Sequence, residues 1–217
     1  MTLSYDLYWS FRSPYSYLVT ARLVALERDF DVRCNVRIVY PIAVRQADFF
    51  AKSDPLWFSY FMRDIYRCAE FLGLPFRWPI PDPVVMDMAT RTYPAHQPYI
   101  YRLSQLGVAA VEAGLGLAFI DAVSRTIWGG HIDNWHEGNH LDCAAAEIGA
   151  NLVQLDHCVA TDTARLDAVI AGNQDAQRRG GHYGVPLMVF EGEPFFGQDR
   201  FDQLKWRMLQ QGLQPRR

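Results

Sequence analysis

The sequence predicts an α/β domain in which a long helical segment interrupts a small sheet. Strand-forming residues lie near both ends, whereas the middle of the chain, roughly residues 46–179, is rich in alanine and shows helical periodicity. A length of 217 residues fits one large domain or two small ones. Half of the residues are hydrophobic and 21% are charged, a balance that excludes a disordered chain.

The N-terminal region predicts a βαβ unit. An aromatic, β-prone run at Tyr5–Trp9 is followed by a turn at residues 10–14. Apolar residues then recur at helical spacing from Pro14 to about Asp29, and Val32–Val39 alternates apolar and polar side chains. Because one helix joins the two strands, we expect them to be parallel, with a right-handed crossover.

The middle of the chain is predicted to be helical and poor in strands. A helical pattern spans Pro55–Gly73, and prolines between residues 75 and 83 forbid a helix there. The same periodicity predicts further helices at Gln97–Ala113, Ala118–Trp128, Cys143–Ala150 and Thr163–Gln177.

Strand character returns near the C-terminus. Val185–Phe190 is β-branched and apolar, Gly192 signals a turn, and Pro194–Phe196 is predicted to pair back as a hairpin before a helix at about Asp199–Leu209. We therefore divide the chain into a first half-domain at 1–45, an inserted helical subdomain at 46–179 and a second half-domain at 180–217. Each half-domain needs the other to complete the sheet.

Composition narrows the function classes. The 21 Lys and Arg against 24 Asp and Glu give a net charge of −3, which argues against a nucleic-acid or anionic-membrane partner. No apolar run approaches the length of a membrane span, which is about 20 residues. The sequence has no signal-peptide pattern and no CxxC pair, so we expect a cytoplasmic protein with reduced thiols at Cys34, Cys68, Cys143 and Cys158.

Ser13-Pro14 has the residues that begin a helix. The serine hydroxyl can cap a free backbone N–H, and proline at the first helical position loses no hydrogen bond. One interpretation is that this is a cap and nothing more. The other is that the hydroxyl lies in a binding site, because a helix N-terminus following a strand favours an anion such as a thiolate.

Two later segments also allow a structural and a functional interpretation. Pro186 could simply begin a strand in the trans form, whereas a cis Val185–Pro186 bond would free the Val185 backbone to pair with a peptide-like ligand. Backbone N–H groups at residues 197–200 could cap the last helix or hold a carboxylate, and Asp199 could hold an ammonium group.

Taken in order, these motifs resemble the 2-hydroxychromene-2-carboxylate isomerase family, which is similar to kappa-class glutathione transferases and DsbA-like oxidoreductases. The resemblance rests on Asp6–Leu18, Gly184–Pro186 and Phe195–Arg200, with looser support from Trp135–Gly138 and from Leu141-Asp142. It implies a thioredoxin-like fold interrupted by an all-helical insertion.

The resemblance also implies glutathione as cofactor. Ser13 matches the active-site serine that hydrogen-bonds the glutathione sulfur, and Val185, beside Pro186, would pair with the glutathione backbone. Gln198 and Asp199 match the turn that holds the γ-glutamyl end. Ser13 and Ser16 stand where DsbA-like oxidoreductases have cysteines, which excludes dithiol exchange at this position.

The implied reaction is the glutathione-dependent cis-trans isomerisation of an aromatic conjugated keto acid, similar to 2-hydroxychromene-2-carboxylate, by reversible thiolate addition. Such a small-molecule substrate needs a ring-lined pocket and a cation for its carboxylate. The substrate-binding candidates are Tyr15, Arg45, Lys52 and Asp54. Arg45 and Lys52 can equally be solvated surface charges. Asp54 lies where the family has the asparagine of a Gly-Asn-x-Pro-like loop, and a carboxylate accepts but cannot donate.

Other functions stay open from the sequence. One is a kappa-like glutathione transferase or peroxidase, and another is a non-catalytic thioredoxin-fold binding protein; by resemblance, a homodimer is also compatible. His136–His140 matches the H-E-x-x-H pattern of zinc enzymes, but Gly138 and Asn139 disfavour the helix that this chemistry requires, so we predict no metal.

Aromatic residues make up 14% of the chain and predict a ring-lined pocket rather than an aromatic core. They cluster in two places, around the Ser13 turn (Tyr8, Trp9, Phe11, Tyr15 and Tyr17) and in the first inserted segment (Phe49, Phe50, Trp57, Phe58, Tyr60 and Phe61).

Overall fold

Within residues 2–87 and 92–216, which a computed structural model describes, four strands form one sheet. They are β1 (Leu3–Trp9), β2 (Val32–Ile38), β3 (Leu187–Phe190) and β4 (Glu193–Phe196), in the spatial order β2-β1-β3-β4. β1 and β2 are parallel, whereas β3 is antiparallel to both β1 and β4. The predicted α/β architecture is confirmed, since strands from both ends of the chain complete one sheet.

The sequence pattern of each strand follows from its place in the sheet. β2 lies at an edge and alternates, with Val32, Cys34, Val36 and Ile38 buried between more exposed side chains. β1 is central, so its consecutive residues Leu7, Tyr8 and Trp9 are all buried. The alternating pattern therefore identifies the strand with one covered face, and the continuous apolar run identifies the strand with two.

Helix α1 (Pro14–Asp29) connects the two parallel strands, as predicted. Ser13 is its N-cap and Pro14 occupies its first turn, where proline is tolerated because the N–H has no helical partner. Leu18, Leu23 and Leu26 are buried at helical spacing. The strand-to-helix turn thus places the Ser13 side chain at the carboxyl end of β1.

Most described helices lie between β2 and β3. They are α2 (Ile42–Arg45), α3 (Pro55–Phe71), α4 (Ile100–Glu112), α5 (Gly116–Trp128), α6 (His140–Glu147) and α7 (Leu152–Arg179), and a 3₁₀ turn at Gln198–Arg200 precedes α8 (Phe201–Gln210). None of these described helices is long and apolar enough to cross a membrane.

Several helix boundaries differ from the prediction, and one short helix was not predicted. α7 begins at Leu152 rather than Thr163, because Asn151 caps an extra segment that continues through a kink at Asp162. α6 spans His140–Glu147 rather than Cys143–Ala150, so it begins and ends three residues earlier than predicted. The single turn of α2 was not predicted, since four residues are too few to show periodicity.

A dense aromatic core joins the sheet to the inserted helices. Trp9 contacts Phe11 edge to face with ring centroids 4.7 Å apart, and Trp128 of α5 stacks on Phe76. The Trp128 indole N–H donates to the Phe11 carbonyl at 3.0 Å, so the α5 end is bonded to the chain just before Ser13. The buried rings therefore position the turn as well as fill the core.

Close packing at this junction makes Gly107 sensitive to substitution. A Cβ on Gly107 would lie 2.9 Å from the Phe11 ring, whereas a Cβ on Gly172, in the exposed part of α7, meets nothing within 4 Å. We expect Gly107→Ala to be less stable than Gly172→Ala by about 1–3 kcal/mol, because overpacking opposes the gain in helix propensity that both share. Urea unfolding measures the difference, and equal stabilities would contradict this packing.

Candidate active site

The Ser13 turn and the loop before β3 meet at the start of α1. The Ser13 hydroxyl accepts a hydrogen bond from the Ser16 N–H at 3.2 Å and donates one to the Val185 carbonyl at 3.3 Å. The Val185–Pro186 bond is cis, which decides between the two forms that the sequence allowed. The Val185 N–H has no hydrogen-bond partner in the part of the chain described here.

Arg12 fixes the turn from the other side. Its Nε and Nη2 donate to the two Asp82 carboxylate oxygens at 3.2 and 3.1 Å, and both side chains are largely buried. Asp82 also accepts from the Trp78 indole and the Val84 N–H, at 3.2 and 2.9 Å. Burial alone would lower the pKa of Arg12, but the Asp82 charge outweighs it and the pKa is raised. Sequence reasoning missed this pair, because 70 residues separate its partners.

A cavity of about 370 Å³ opens beside the Ser13 hydroxyl. It lies between the Ser13 turn, α2, α3 and the loop before β3, and Ser13 and Val185 are both in its wall. Aromatic side chains form most of the rest: Tyr15, Phe49, Phe50, Trp57, Tyr60, Phe61, Tyr183 and Phe196. A smaller cavity of about 280 Å³ beside Tyr17 and Arg125 does not include Ser13.

The predicted aromatic clustering is therefore half right. In the inserted segment, every ring of the predicted cluster except Phe58 lines the cavity. Around the turn only Tyr15 does so, whereas Tyr8, Trp9, Phe11 and Tyr17 are buried in the core. The high aromatic content therefore comes from both an aromatic core and a ring-lined cavity. At the strand-to-helix turn, neighbouring side chains point to opposite sides, so some rings are buried in the core and another lines the cavity.

Tyr15 contributes its ring to the cavity, and its hydroxyl is already bound. That hydroxyl donates to Asp64 of α3 at 2.6 Å, and the ring contacts Phe61 edge to face. Burial, together with the Asp64 carboxylate, raises the pKa of Tyr15 well above its usual range. This contact between α1 and α3 holds two walls of the cavity together.

Arg45 is the cavity cation that lacks an ion pair among the described residues. Its guanidinium donates to the Gln177 side-chain oxygen at 3.3 Å and to the Tyr183 carbonyl at 2.9 Å. Burial lowers the pKa of Arg45 to about 10, and nearby Arg178 contributes. A pKa of about 10 leaves the group cationic at neutral pH. No Asp or Glu is among the described residues of the cavity wall, so the wall suits an anionic ligand.

Lys52 and Asp54 lie outside this cavity. The Lys52 ammonium is exposed and paired with Asp48 one turn earlier. The Asp54 carboxylate caps α3 by accepting from the Leu56 N–H at 2.8 Å. The structure thus does not bring these two predicted side chains to the Ser13 hydroxyl. Asp54 with Pro55 begins α3, just as Ser13 with Pro14 begins α1, and Lys52 forms a surface ion pair.

Gln198 and Asp199 lie on the turn after β4, which is bonded to the cis-proline loop through Gly197 N–H and Pro186 carbonyl at 2.9 Å. The Gln198 carbonyl and side-chain oxygen both accept from Arg22 of α1. Asp199 is exposed and paired with Arg200. Neither residue lines the cavity, so they could meet only the far end of an extended ligand.

Arg22 was also missed by sequence reasoning. Its guanidinium forms no ion pair among the residues described and lies over the Phe201 ring. Burial lowers its pKa, an effect that Asp202 and Asp199 oppose. Nothing in the local sequence distinguishes Arg22 from a surface arginine of an amphipathic helix.

The H-E-x-x-H segment does not form the geometry of a zinc enzyme. Residues 136–138 belong to a turn, α6 begins only at His140, and the His136 ring packs on Tyr99 with centroids 4.5 Å apart. No cluster of three potential metal ligands occurs within the described ranges. The cysteines Cys34, Cys68, Cys143 and Cys158 are all free.

A mixed sheet that presents a serine turn at the start of α1, opposite a cis-proline loop, defines a thioredoxin-fold protein with a helical insertion. The chain belongs to the DsbA-like thioredoxin domain family, which matches residues 5–208.

Individual relatives share this architecture over nearly their whole length. A 2-hydroxychromene-2-carboxylate isomerase of Sphingobium xenophagum is 28% identical over 220 aligned residues, which cover 96% of this chain and all of the relative. A solved 2-hydroxychromene-2-carboxylate isomerase superposes with a TM-score of 0.69 at 20% identity, covering 96% of this chain and 95% of its own. The cytosolic disulfide reductase DsbM of Pseudomonas aeruginosa, solved with GSH, gives a TM-score of 0.57 at 18% identity, covering 96% and 100%.

Removal of Asp82 should destabilise the protein, because it leaves Arg12 buried without its counter-charge. We expect Asp82→Ala to lower the free energy of unfolding by about 3 kcal/mol. The control Asp29→Ala removes an exposed partner of Arg28 and should cost less than about 1 kcal/mol. Chemical unfolding compares the two variants, and equal losses would show that the Arg12–Asp82 pair contributes no more than a surface contact.

Proposed function

We propose that this protein is a glutathione-dependent isomerase of an aromatic conjugated keto acid, similar to 2-hydroxychromene-2-carboxylate. The observation that carries the proposal is the cavity itself, in which the Ser13 hydroxyl, a wall of aromatic rings and the unpaired Arg45 guanidinium come together. The similarity to a curated isomerase over almost the full length of both chains supports this class of enzyme.

The position of Ser13 favours a thiolate at this site. The helix dipole at the start of α1 stabilises negative charge, which lowers the pKa of a thiol bound there. The Ser13 hydroxyl now donates to Val185 and could donate to a sulfur instead by rotation about its side-chain bond. With serine at both 13 and 16, the thiol must come from the ligand rather than from the protein.

Glutathione fits the groups around this point. The Val185 N–H could bind the glutathione backbone, while Asp199 and the turn at Gln198 could hold the γ-glutamyl end. Arg22, partly buried beside Gln198, adds a cation for the γ-glutamyl carboxylate. The structural relative DsbM was solved with GSH, which is consistent with this use of the fold.

The cavity provides the groups that would bind the substrate beside glutathione. The substrate ring would lie against the aromatic wall, and its carboxylate would bind Arg45, the cation without a competing carboxylate in the described wall. 2-Hydroxychromene-2-carboxylate is a conjugated keto acid only in its ring-opened form, in which the bond to the ring oxygen has broken, that oxygen has become the phenol and the former hydroxyl has become the ketone. Bound glutathione would supply a thiolate for reversible addition to the double bond conjugated with that ketone. Rotation about the resulting single bond and loss of the thiolate would then give the other geometry.

The Ser13 hydroxyl should matter more for turnover than for glutathione binding. We expect Ser13→Ala to lower kcat for 2-hydroxychromene-2-carboxylate about 10–100-fold, the range for loss of a hydrogen bond to a charged group. Calorimetric titration should show millimolar or tighter glutathione binding to both proteins, and the exposed Ser59→Ala is the matched control. Absence of binding to the wild-type protein would refute the glutathione mechanism, and a stable thioether product would indicate a transferase instead.

Substitutions of Arg45 and Lys52 test whether the substrate carboxylate binds a cation in the cavity or a cation on the surface. We expect Arg45→Met to raise KM for 2-hydroxychromene-2-carboxylate about 10–100-fold, because a charge-assisted hydrogen bond is lost. Lys52→Met should leave KM unchanged, since that ammonium is exposed and paired with Asp48. The reverse ranking in steady-state kinetics would place the carboxylate outside this cavity. Because the pKa of Arg45 is about 10, substrate binding should weaken only as the pH rises past that value.

A further inference from the structure

His182 lies three residues before Val185, in the cavity wall, and has no role in the reaction described so far. Its ring stacks on Phe196 of β4 with centroids 3.7 Å apart, and on Tyr183 at 4.8 Å. Gly184 makes this packing possible, because a Cβ there would lie 2.5 Å from the Phe196 ring and 3.0 Å from His182 Cε1. The orientation of the imidazole is therefore fixed by its neighbours.

One hydrogen bond determines which ring nitrogen carries the proton. The Gly184 N–H donates to His182 Nδ1 at 2.9 Å, so Nδ1 is an acceptor. In a neutral imidazole the other nitrogen is then the donor, which makes Nε2–H the free group. Within the described ranges no side chain or carbonyl accepts this N–H.

The surroundings of the ring keep it neutral. Arg45 of α2 and Arg12 of the Ser13 turn are the charged side chains that face the cavity, and both are cations. α3 brings the Tyr60 ring, β4 brings Phe196, and no carboxylate occurs in the described wall. Burial lowers the pKa of His182 below its ordinary value. Protonation of Nδ1 would also break the bond from Gly184.

We propose that His182 is a catalytic residue of the isomerisation, donating its Nε2–H to the substrate ketone oxygen while that oxygen carries negative charge. This inference rests on the proposed function. As the glutathione sulfur forms its bond to the alkene carbon, the alkene electron pair moves toward the ketone carbon and the carbonyl pair moves onto oxygen, giving an enolate. The electrons return when the carbon–sulfur bond breaks, so no proton is consumed.

A neutral donor is sufficient for this role. A fixed N–H aimed at a developing oxyanion stabilises the transition state without transferring its proton. A neutral imidazole also polarises the substrate carbonyl in triosephosphate isomerase, where the environment of the histidine keeps it uncharged. Because Nδ1 is already bound, His182 is suited to hydrogen bonding rather than to proton transfer.

Two substitutions distinguish the contribution of the His182 N–H donor from that of its ring stacking. His182→Phe keeps a ring to stack on Phe196 but has no N–H, whereas His182→Gln keeps an N–H donor. With glutathione and 2-hydroxychromene-2-carboxylate, we expect His182→Phe to lower kcat about 100-fold, as for loss of one oxyanion donor. His182→Gln should retain more than about a tenth of the activity. His157→Phe, on an exposed part of α7, is the matched control.

Nitrogen NMR gives a readout that does not depend on turnover. In ¹⁵N-histidine-labelled protein, the signal absent from His182→Phe identifies His182. We expect the neutral Nε2–H form at pH about 6.5, where an ordinary histidine is half protonated. A cation or an Nδ1–H form at that pH would overturn the proposal.

The kinetic outcomes separate this inference from the proposed function. If the wild-type protein isomerises the substrate and His182→Phe is equally active, only the role of His182 is overturned, and the proposed function stands. Equal losses in His182→Phe and His182→Gln, or a loss explained by weaker glutathione binding in calorimetry, also overturn it, because they indicate packing. A wild-type protein that does not isomerise the substrate overturns the proposed function and this inference with it.

Discussion

The ion pair between Arg12 and Asp82 joins the residue before Ser13 to the inserted helical segment through two hydrogen bonds that are largely shielded from water. Breaking such a pair leaves a charge in a poorly solvated place, so the two segments are strongly held in one arrangement. The position of Ser13 follows from this contact. Its hydroxyl then reaches Val185 across the cleft, and the walls of the cavity follow from the turn on one side and α3 on the other.

Charge is distributed unevenly around the cavity. Asp82 neutralises Arg12, and Asp64 binds the Tyr15 hydroxyl, so both carboxylates already have partners within the protein. Among the residues that the structure describes, the partners of Arg45 are neutral oxygens, from Gln177 and Tyr183. A partly buried cation with neutral partners attracts an anion more strongly than one already neutralised, because no existing ion pair must be broken first. The same reasoning separates Arg45 from Lys52, whose charge is both solvated and paired.

Prediction succeeded where the signal was local. The Ser13-Pro14 start of α1 and the alternation of β2 each depend on a few adjacent residues, and both appear in the structure. It failed for two helical segments. The first turns of α7 carry Leu152, Leu155 and Val159 at helical spacing and were not predicted, whereas the single turn of α2 is too short to show a period. Asp54 was expected at the site because of its place in a motif, and the structure shows it as the cap of α3. Lys52 was a candidate cation for the ligand carboxylate, and the structure shows the other interpretation of it, a paired surface charge.

The sequence by itself determined that the chain is a thioredoxin-like α/β fold with a helical insertion, and that a serine occupies the start of its first helix. The α/β order and the helix start follow from periodicity and capping chemistry, and the thioredoxin-like fold is what the resemblance of the short motifs to a known family implies. Only the tertiary structure decided which charges face the cavity, which rings are core, that Arg12 pairs with Asp82, and that His182 shares the cavity wall with Ser13. The reason is physical: the partners of these side chains lie in segments far away along the chain, and a charge or a ring acquires its role only from what surrounds it.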